Sequence, residues 1–123
     1  MGKVHNLEEN GSNQNLQVDQ QTSPQYQAVL QELRDFRENQ GWSEHHNLKD
    51  LALSLDLEAA EVLEIFQWKK DEQPITKQQQ IHLEEELADV LTYTFFMCDQ
   101  LNLDPTKLVA AKTKINNERS WDN

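Results

Sequence analysis

The sequence predicts an all-α fold in which four helices form a bundle. From Pro24 onward, apolar residues recur every three or four positions, which is the spacing of one face of a helix. No segment shows the strict alternation of apolar and polar residues that is typical of a half-buried strand. Capping residues and proline-containing breaks divide the helical pattern into four segments.

Residues 1–23 are predicted to be a disordered or loosely attached tail. This segment is rich in Asn, Gln, Ser and Glu and has few large apolar residues. Such a composition buries too little surface to offset the entropy of ordering the chain. The helical domain is therefore expected to occupy residues 24–123.

The first two helices are separated by a short loop. The first is expected to end near Gln40 and Gly41, and the second to begin after Asn47, a favourable N-cap, and to run to about Lys70. The predicted apolar faces are Tyr26, Val29, Leu30, Leu33 and Phe36 in the first helix, and Leu48, Leu51, Leu55, Ala59, Val62, Leu63 and Phe66 in the second.

The third and fourth helices follow a break at Pro74. The third is expected to run from near Thr76 to about Leu101, and the fourth to begin with Asp104 as N-cap and Pro105 in the first helical position. The third helix would bury Ile81, Leu83, Leu87, Val90, Leu91, Thr94, Phe95 and Cys98, and the fourth carries Leu108, Val109, Ala111, Lys112 and Ile115.

Composition and charge exclude several classes of protein. A chain of 123 residues makes one domain, and its net charge of −11 argues against a nucleic acid polymer as a general partner. The single cysteine, Cys98, excludes an intramolecular disulfide, and we expect it to be an inert core residue. The first residues lack the apolar region of a signal peptide, and no stretch approaches the roughly 18 apolar residues of a membrane span. We therefore expect a soluble cytoplasmic protein.

Two pairs of acidic residues are candidates for a metal site. Glu58 and Glu61 lie in the middle of the second predicted helix, and Glu86 and Asp89 in the middle of the third. The i, i+3 spacing places both acids of a pair on one side of the helix, so two antiparallel helices could bring four carboxylates together. Such a cluster of like charges needs cations or protons to be stable. Oxygen ligands alone favour Mg²⁺ or Mn²⁺ over zinc.

Other interpretations of these acids must be considered. Acid pairs at this spacing usually decorate a solvated helix face, but here each pair is closely flanked by apolar residues and neither lies in a first helical turn. A di-iron bundle would need Glu-x-x-His motifs, and the nearest match, Gln79 to His82, lacks the acid. A magnesium site is therefore favoured over a di-iron site.

Three ordered blocks of sequence resemble the MazG-like nucleotide pyrophosphohydrolases of the all-α NTP pyrophosphatase superfamily. The first is Glu-x-x-Glu followed, about two dozen residues later, by Glu-x-x-Asp. The run 58–69, which begins with the first acid pair, is similar to the branch that includes dCTP pyrophosphatase. The second is the run 42–46, in which a tryptophan precedes a histidine by four residues. The third is the run 112–119, with the Lys, Asn and Arg ending of that branch. The resemblance covers roughly residues 26–121.

The resemblance implies roles for individual residues, which fall into a metal site and a substrate site. Mg²⁺, for which Mn²⁺ could substitute, would be held by Glu58, Glu61, Glu86 and Asp89. The substrate would be bound by Trp42, His46 and Trp68 at the base and sugar, and by Tyr93, Lys112 and Asn116 at the phosphates, with Arg119 as a further substrate-binding residue. The chain departs from the branch after Arg119, where Ser120 and Trp121 replace the usual tyrosine.

The expected reaction is Mg²⁺-dependent hydrolysis of a nucleoside triphosphate between the α and β phosphates, which gives a monophosphate and pyrophosphate. A carboxylate would take the proton from the attacking water, and Glu61 is our choice for this general base. The purpose would be cleansing of the nucleotide pool, with stress signalling as an alternative. Two other functions stay open: a related enzyme acting on dUTP or a phosphoribosyl nucleotide, and a non-catalytic acidic module that binds a partner protein.

Surplus apolar residues predict a homo-oligomer, at least a dimer, with a tetramer built from two dimers as the favoured form. Leu53, Leu57 and Ile65 lie off the main apolar face of the second helix, as do Phe96 and Met97 on the third. Four short helices cannot cover all of them within one subunit, and uncovered apolar surface marks an interface. The resemblance implies the same, since MazG-like domains pair their helices across subunits.

Overall fold

The computed structural model describes residues 16–42 and 46–119, and within these ranges the protein is all-α, as predicted. The four helices are α1 (Pro24–Asn39), α2 (Leu48–Glu64), α3 (Lys77–Gln100) and α4 (Pro105–Glu118). The described ranges contain no strand. They also contain no helix that is long and apolar enough to cross a membrane.

Each helix begins at a side chain that caps its free backbone N–H groups. The Asn47 side chain accepts a hydrogen bond from the Asp50 amide. The Asp104 side chain accepts one from the amide of Thr106, the residue after Pro105, so both predicted caps are confirmed. Thr76 and Gln79 form a reciprocal capping box at the start of α3. Ser23, inside the segment predicted to be a tail, caps α1.

The second helix is shorter than predicted. It ends at Glu64, whereas the apolar period had suggested about Lys70. Beyond that point the backbone tightens, because the amides of Ile65, Phe66 and Gln67 each bond to the carbonyl three residues earlier. These bonds replace the i to i−4 pattern of an α-helix by turns, which is common at a helix C-terminus.

The longest helix, α3, is the centre of the bundle. It packs mainly against α2 and to a lesser extent against α1 and α4. The two long helices are antiparallel, since Lys69 of the chain after α2 bonds to Gln79 while His46, before α2, bonds to Gln100. Five core apolar side chains of the described residues are buried, from α1, α2 and α3: Tyr26, Leu30, Leu51, Phe96 and Cys98.

Several residues predicted to be core are exposed within one chain. They are Val29, Phe36, Leu48, Ala59, Leu63, Phe66, Ile81, Leu87, Leu91 and Val109. These side chains are not covered within one chain, where α3 packs mainly against α2 and little against α1 and α4. The assignment of Phe96 as surplus surface was wrong, because α1 and the loop before α2 cover a second side of α3 and leave this ring 0% exposed.

Cys98 is buried, as predicted for an inert core thiol. Burial raises the pKa of this thiol, and the nearby Asp104 carboxylate adds to the effect. A thiol kept protonated in this way is a poor nucleophile and a poor metal ligand. Cys98 therefore contributes packing rather than chemistry.

Candidate metal site and aromatic pocket

The two acid pairs meet where α2 packs against α3. Glu58, Glu86 and Asp89 each offer a carboxylate oxygen, and these oxygens all lie within 4.8 Å of one another. Glu61 completes the group, since its carboxyl lies close enough to those of Glu58 and Glu86 to shift its pKa. The i, i+3 spacing and the antiparallel packing thus bring all four predicted acids together. We call Glu58, Glu61, Glu86 and Asp89 the acid cluster.

The charges of the acid cluster are poorly compensated. Partial burial, reinforced by the adjacent Glu61, raises the pKa of Glu58 to about 7. Contact with Glu61 raises the pKa of Glu86 as well, whereas hydrogen bonds from Glu86 and Glu58 lower the pKa of Glu61. The cluster therefore retains protons at pH values where isolated carboxyl groups have lost them, which is the response of like charges held close together.

The acid cluster also has unused hydrogen-bonding capacity. One oxygen of Glu58 and one of Glu86, Oε2 in both cases, are buried and have no hydrogen-bond partner among the described residues. The Glu86 side chain is only 12% exposed, so water reaches it poorly. A divalent cation would satisfy such oxygens and neutralise their charge, and an all-oxygen ligand set is the one that Mg²⁺ prefers. The residues present therefore fit this ion.

His82 lies beside the acid cluster and was not among the predicted site residues. Its Nε2 is 3.3 Å from Oε1 of Glu86, one helical turn further along α3. The i, i+4 spacing of His82 and Glu86 was the signal in the sequence that could have identified it. At 57% exposure the imidazole remains in contact with solvent, at the outer edge of the cluster.

A row of aromatic rings begins one helical turn beyond Asp89. Tyr93 meets Phe96 edge-on at 6.2 Å between ring centroids, and Phe96 lies 5.2 Å from His46. His46 is in turn 5.5 Å from Trp42, whose ring is edge-on to Phe36. Three predicted substrate residues, Trp42, His46 and Tyr93, are thus brought together. We call the five rings of Phe36, Trp42, His46, Tyr93 and Phe96 the aromatic row.

Two charged residues behind the aromatic row were also missed by sequence reasoning. The guanidinium of Arg37 lies over the Phe96 ring, with Cζ 5.3 Å from the centroid. Asp99, whose side chain is 10% exposed, forms ion pairs with Arg34 and Arg37. The charges of α1 and α3 gave no local signal of this meeting, because it depends on how the two helices pack.

The remaining predicted substrate residues lie elsewhere on the chain. Trp68, in the turns after α2, is 88% exposed, and Lys112 is exposed on α4. Asn116 and Arg119 are half-buried at the end of α4. A single chain therefore does not enclose Trp68 or Lys112 in the aromatic row. Ser120 and Trp121, where the sequence departs from the resemblance, are outside the described residues.

Comparison with known proteins gives concordant results. The model of the MazG-like family matches residues 53–122, which include the whole acid cluster. The dCTP pyrophosphatase 1 proteins of Bos taurus and Homo sapiens are 30% and 31% identical to this chain over 101 residues, covering 76% of it. The chain spans about 60% of the length of these curated relatives.

A solved structure gives a longer match relative to its own length. The crystal structure of a pyrophosphatase from Archaeoglobus fulgidus superimposes with a TM-score of 0.73 and is 36% identical in sequence. The match covers 80% of this chain and 94% of the archaeal one. The four-helix arrangement of this chain is thus found in a known fold.

Proposed function

Since this chain belongs to the MazG-like family, we propose that it is a Mg²⁺-dependent nucleoside triphosphate pyrophosphohydrolase. It would cleave its substrate between the α and β phosphates and release a nucleoside monophosphate and pyrophosphate. The observation that carries this proposal is the convergence of Glu58, Glu86 and Asp89, whose ligand oxygens lie within 4.8 Å of one another. All three residues lie in the segment that matches the family model. The names of the similar proteins, dCTP pyrophosphatase 1 and a pyrophosphatase, support the same class of reaction.

The acid cluster would hold Mg²⁺, with Mn²⁺ as a substitute. Glu58, Glu86 and Asp89 would supply ligand oxygens, and Glu61 lies close enough to complete the set. When bound, the ion would supply positive charge against the triphosphate oxygens and acidify the attacking water. All four ligands lie on α2 and α3, and ligands on packed helices are held more rigidly than ligands on loops.

Glu61 is our candidate for the general base. Hydrogen bonds from Glu86 and Glu58 lower the pKa of its carboxyl, so it is ionised while its neighbours retain protons. An ionised carboxylate at the edge of the cluster can accept a proton from water. Its exposure allows that proton to pass on to solvent.

The aromatic row would bind the base and sugar of the nucleotide. Tyr93 lies one turn beyond Asp89 on α3, so the row starts beside the proposed metal site. Trp42 and His46 offer ring faces for stacking on a nucleobase, which is tolerant of base identity because every base has a π face. A triphosphate on the acid cluster would therefore place its base towards these rings.

A second copy of the chain would complete the site. Three leucines of α2 are largely exposed: Leu53 (56%), Leu57 (66%) and Leu63 (71%). Contact of so much apolar surface with water is unfavourable and marks an interface. We propose that this surface pairs with a second subunit, in a dimer or a tetramer. Such pairing would also give Trp68, Lys112, Asn116 and Arg119 a route to the substrate of the neighbouring subunit.

The proposed function implies a location and a purpose. Nucleoside triphosphates are abundant in the cytoplasm. We therefore propose that the enzyme acts there and removes unwanted nucleotides from the pool. A single buried cysteine agrees with a reducing compartment.

The test is release of pyrophosphate from a panel of canonical and modified nucleoside triphosphates, each with Mg²⁺, Mn²⁺ or a chelator. We expect metal-dependent formation of equal amounts of monophosphate and pyrophosphate from at least one deoxynucleotide. Release of inorganic phosphate in place of pyrophosphate would contradict the proposed bond cleavage. Full activity in the presence of chelator would contradict the role of the acid cluster.

A further inference from the structure

The charged side chain of Arg37 makes a cation–π contact within the aromatic row. Its guanidinium lies over the ring of Phe96, 5.3 Å from the centroid, and the ring itself is 0% exposed. The Arg37 side chain is only 17% exposed, so the contact is largely shielded from water. A guanidinium over an aromatic face at this distance is an attractive cation–π pair, and shielding from water strengthens it.

Asp99 holds Arg37 in this position. Its Oδ2 lies 3.6 Å from Nη2 of Arg37, and the same carboxylate accepts two hydrogen bonds from Arg34, 3.1 Å from Nε and 2.5 Å from Nη2. One carboxylate that is 10% exposed thus meets two guanidinium groups. The two arginines differ in what else they do, because Arg34 is 47% exposed whereas Arg37 extends over the Phe96 ring.

The backbone of Arg37 makes a second contact with the aromatic row. Its carbonyl accepts a hydrogen bond from the Trp42 amide at 3.1 Å. The adjacent Phe36 meets the Trp42 ring edge-on, 5.3 Å away at 90°. Trp42 is therefore positioned by two consecutive residues at the end of α1.

The other described side of the loop is fixed next to Asp99. Gln100 donates a hydrogen bond from its side-chain amide to the carbonyl of His46, and the His46 ring packs on Phe96. Trp42 thus contacts the end of α1, and His46 contacts Phe96 on α3. Arg37 of α1 contacts Phe96 and Asp99, both on α3, and so links the two helices next to these rings.

We propose that the side chain of Arg37 is a positioning residue for nucleotide recognition: its guanidinium fixes the Phe96 ring, on which His46 packs, and through His46 supports Trp42, and so aligns the rings on which a base stacks. This inference rests on the proposed function. Arg37 faces Phe96 and Asp99 and is not assigned to touch substrate. Because Phe96 lies two helical turns from Asp89, loss of the Arg37 side chain weakens binding of the base and leaves the reaction at the acid cluster little changed.

A kinetic comparison of Arg37→Met with Arg34→Met tests the inference, because both variants remove an ion pair with Asp99 and only the first removes the contact with Phe96. For Arg37→Met we expect KM to rise about tenfold, or about 1.4 kcal/mol, with kcat within about twofold. Arg34→Met should change KM by less than about twofold, and Arg37→Lys should give an intermediate KM because it keeps a cation without the planar fork. A role in stability alone would lower the melting temperature of both variants without a selective rise in KM.

A measurement that needs no activity separates this inference from the proposed function. In a background of Trp68→Phe and Trp121→Phe, Trp42 is the one remaining tryptophan of the three, and acrylamide quenching reports its exposure. Arg37→Met should increase quenching, and Arg34→Met should not. Unchanged quenching in Arg37→Met overturns the positioning of Trp42, and increased quenching with an unchanged KM overturns its role in recognition. A wild-type chain that hydrolyses no nucleotide overturns the proposed function and with it the link to recognition, while the quenching still decides whether Arg37 positions Trp42.

Discussion

The carboxylate of Asp104 joins the starts of two helices by accepting a hydrogen bond from the backbone amide of Ser23 at 2.9 Å. Its other oxygen accepts from the amide of Thr106 at 2.8 Å, so one side chain caps α4 and anchors the N-cap residue of α1. Asp104 is 1% exposed, the one charged or polar residue among the described ones that is fully buried. Tyr26 adds to the junction by donating from its hydroxyl to the carbonyl of Leu103.

Replacing Asp104 should therefore destabilise the fold. Asp104→Ala leaves two buried amide groups without a partner, and we expect a loss of about 2–3 kcal/mol in the free energy of unfolding. For a domain of this size the melting temperature should fall by roughly 8–15 °C. Asp56→Ala, which removes an exposed aspartate of α2, is the matched control and should stay within about 0.5 kcal/mol of wild type. Equal melting temperatures for the two variants would contradict the role of Asp104.

The contribution of Asp104 should also depend on pH. Burial disfavours its charged form, but hydrogen bonds from Ser23 and Thr106 outweigh that effect and lower the pKa of the carboxyl. A lowered pKa in the folded state gives stability that is present above the pKa of the unfolded state and is lost as the pH falls through the folded value. The difference in stability between wild type and Asp104→Asn should thus be constant near neutral pH and shrink below about pH 4. Chemical denaturation of both proteins between pH 7 and pH 3 measures it, and a difference that grows at low pH would refute the assignment.

Two truncations should separate the N-terminal residues that matter for folding from those that do not. The stretch 19–23 contacts the helical domain, since Ser23 caps α1 and Asp19 pairs with Lys107 at 3.0 Å. Removal of residues 1–15 should change the melting temperature by less than about 2 °C, in keeping with their polar composition. Removal of residues 1–23 should lower it by about 5 °C, since a lost cap costs about 1 kcal/mol. A drop of that size on removing residues 1–15 alone would show that they pack on the domain.

The acid cluster should be essential for activity and dispensable for folding. Glu58→Gln, Glu61→Gln, Glu86→Gln and Asp89→Asn should each lower turnover about 100-fold or more, because loss of one electrostatic contribution to a transition state has that scale. Each should melt at or slightly above the wild-type temperature without metal, since it removes charge from a repelling group. Glu85→Gln, an exposed acid on α3, is the control and should keep wild-type turnover. Near-normal turnover in any two of the cluster variants would refute the site, and calorimetry with Mg²⁺ should show binding lost in the same variants.

The apolar surface of α2 should mediate self-association. Light scattering at micromolar concentration should give a mass of at least twice 14.4 kDa for the wild-type chain. Leu53→Lys with Leu57→Lys, two substitutions one turn apart on exposed positions, should shift the mass towards 14.4 kDa with the helical content retained. Lys49→Ala, at an exposed position of the same helix, is the control. A wild-type mass near 14 kDa with full activity would contradict the oligomer.

The sequence by itself predicted the four helices, most of their boundaries and the acid cluster. Helix starts are local, since Asn47 and Asp104 cap amides two or three residues away, and for this reason those boundaries could be predicted. The acid cluster was predictable because i, i+3 spacing on two helices needs only antiparallel pairing to converge. The end of α2 was missed, because the change from i−4 to i−3 bonding at Ile65 has no strong residue signal.

Only the tertiary structure decided which apolar residues are covered and what supports the aromatic row. Phe96 is buried because α1 and the loop before α2 meet a second side of α3, which a single apolar stripe does not foresee. Arg37 and Asp99 are 62 positions apart in sequence (99 − 37), and nothing local to either marks the other as its partner. Helical periodicity records how a helix faces its surroundings, whereas contacts between distant helices depend on the packing of whole elements. The caps and the acid pairs follow from local sequence, whereas the Arg37 contacts follow from the packing of distant helices.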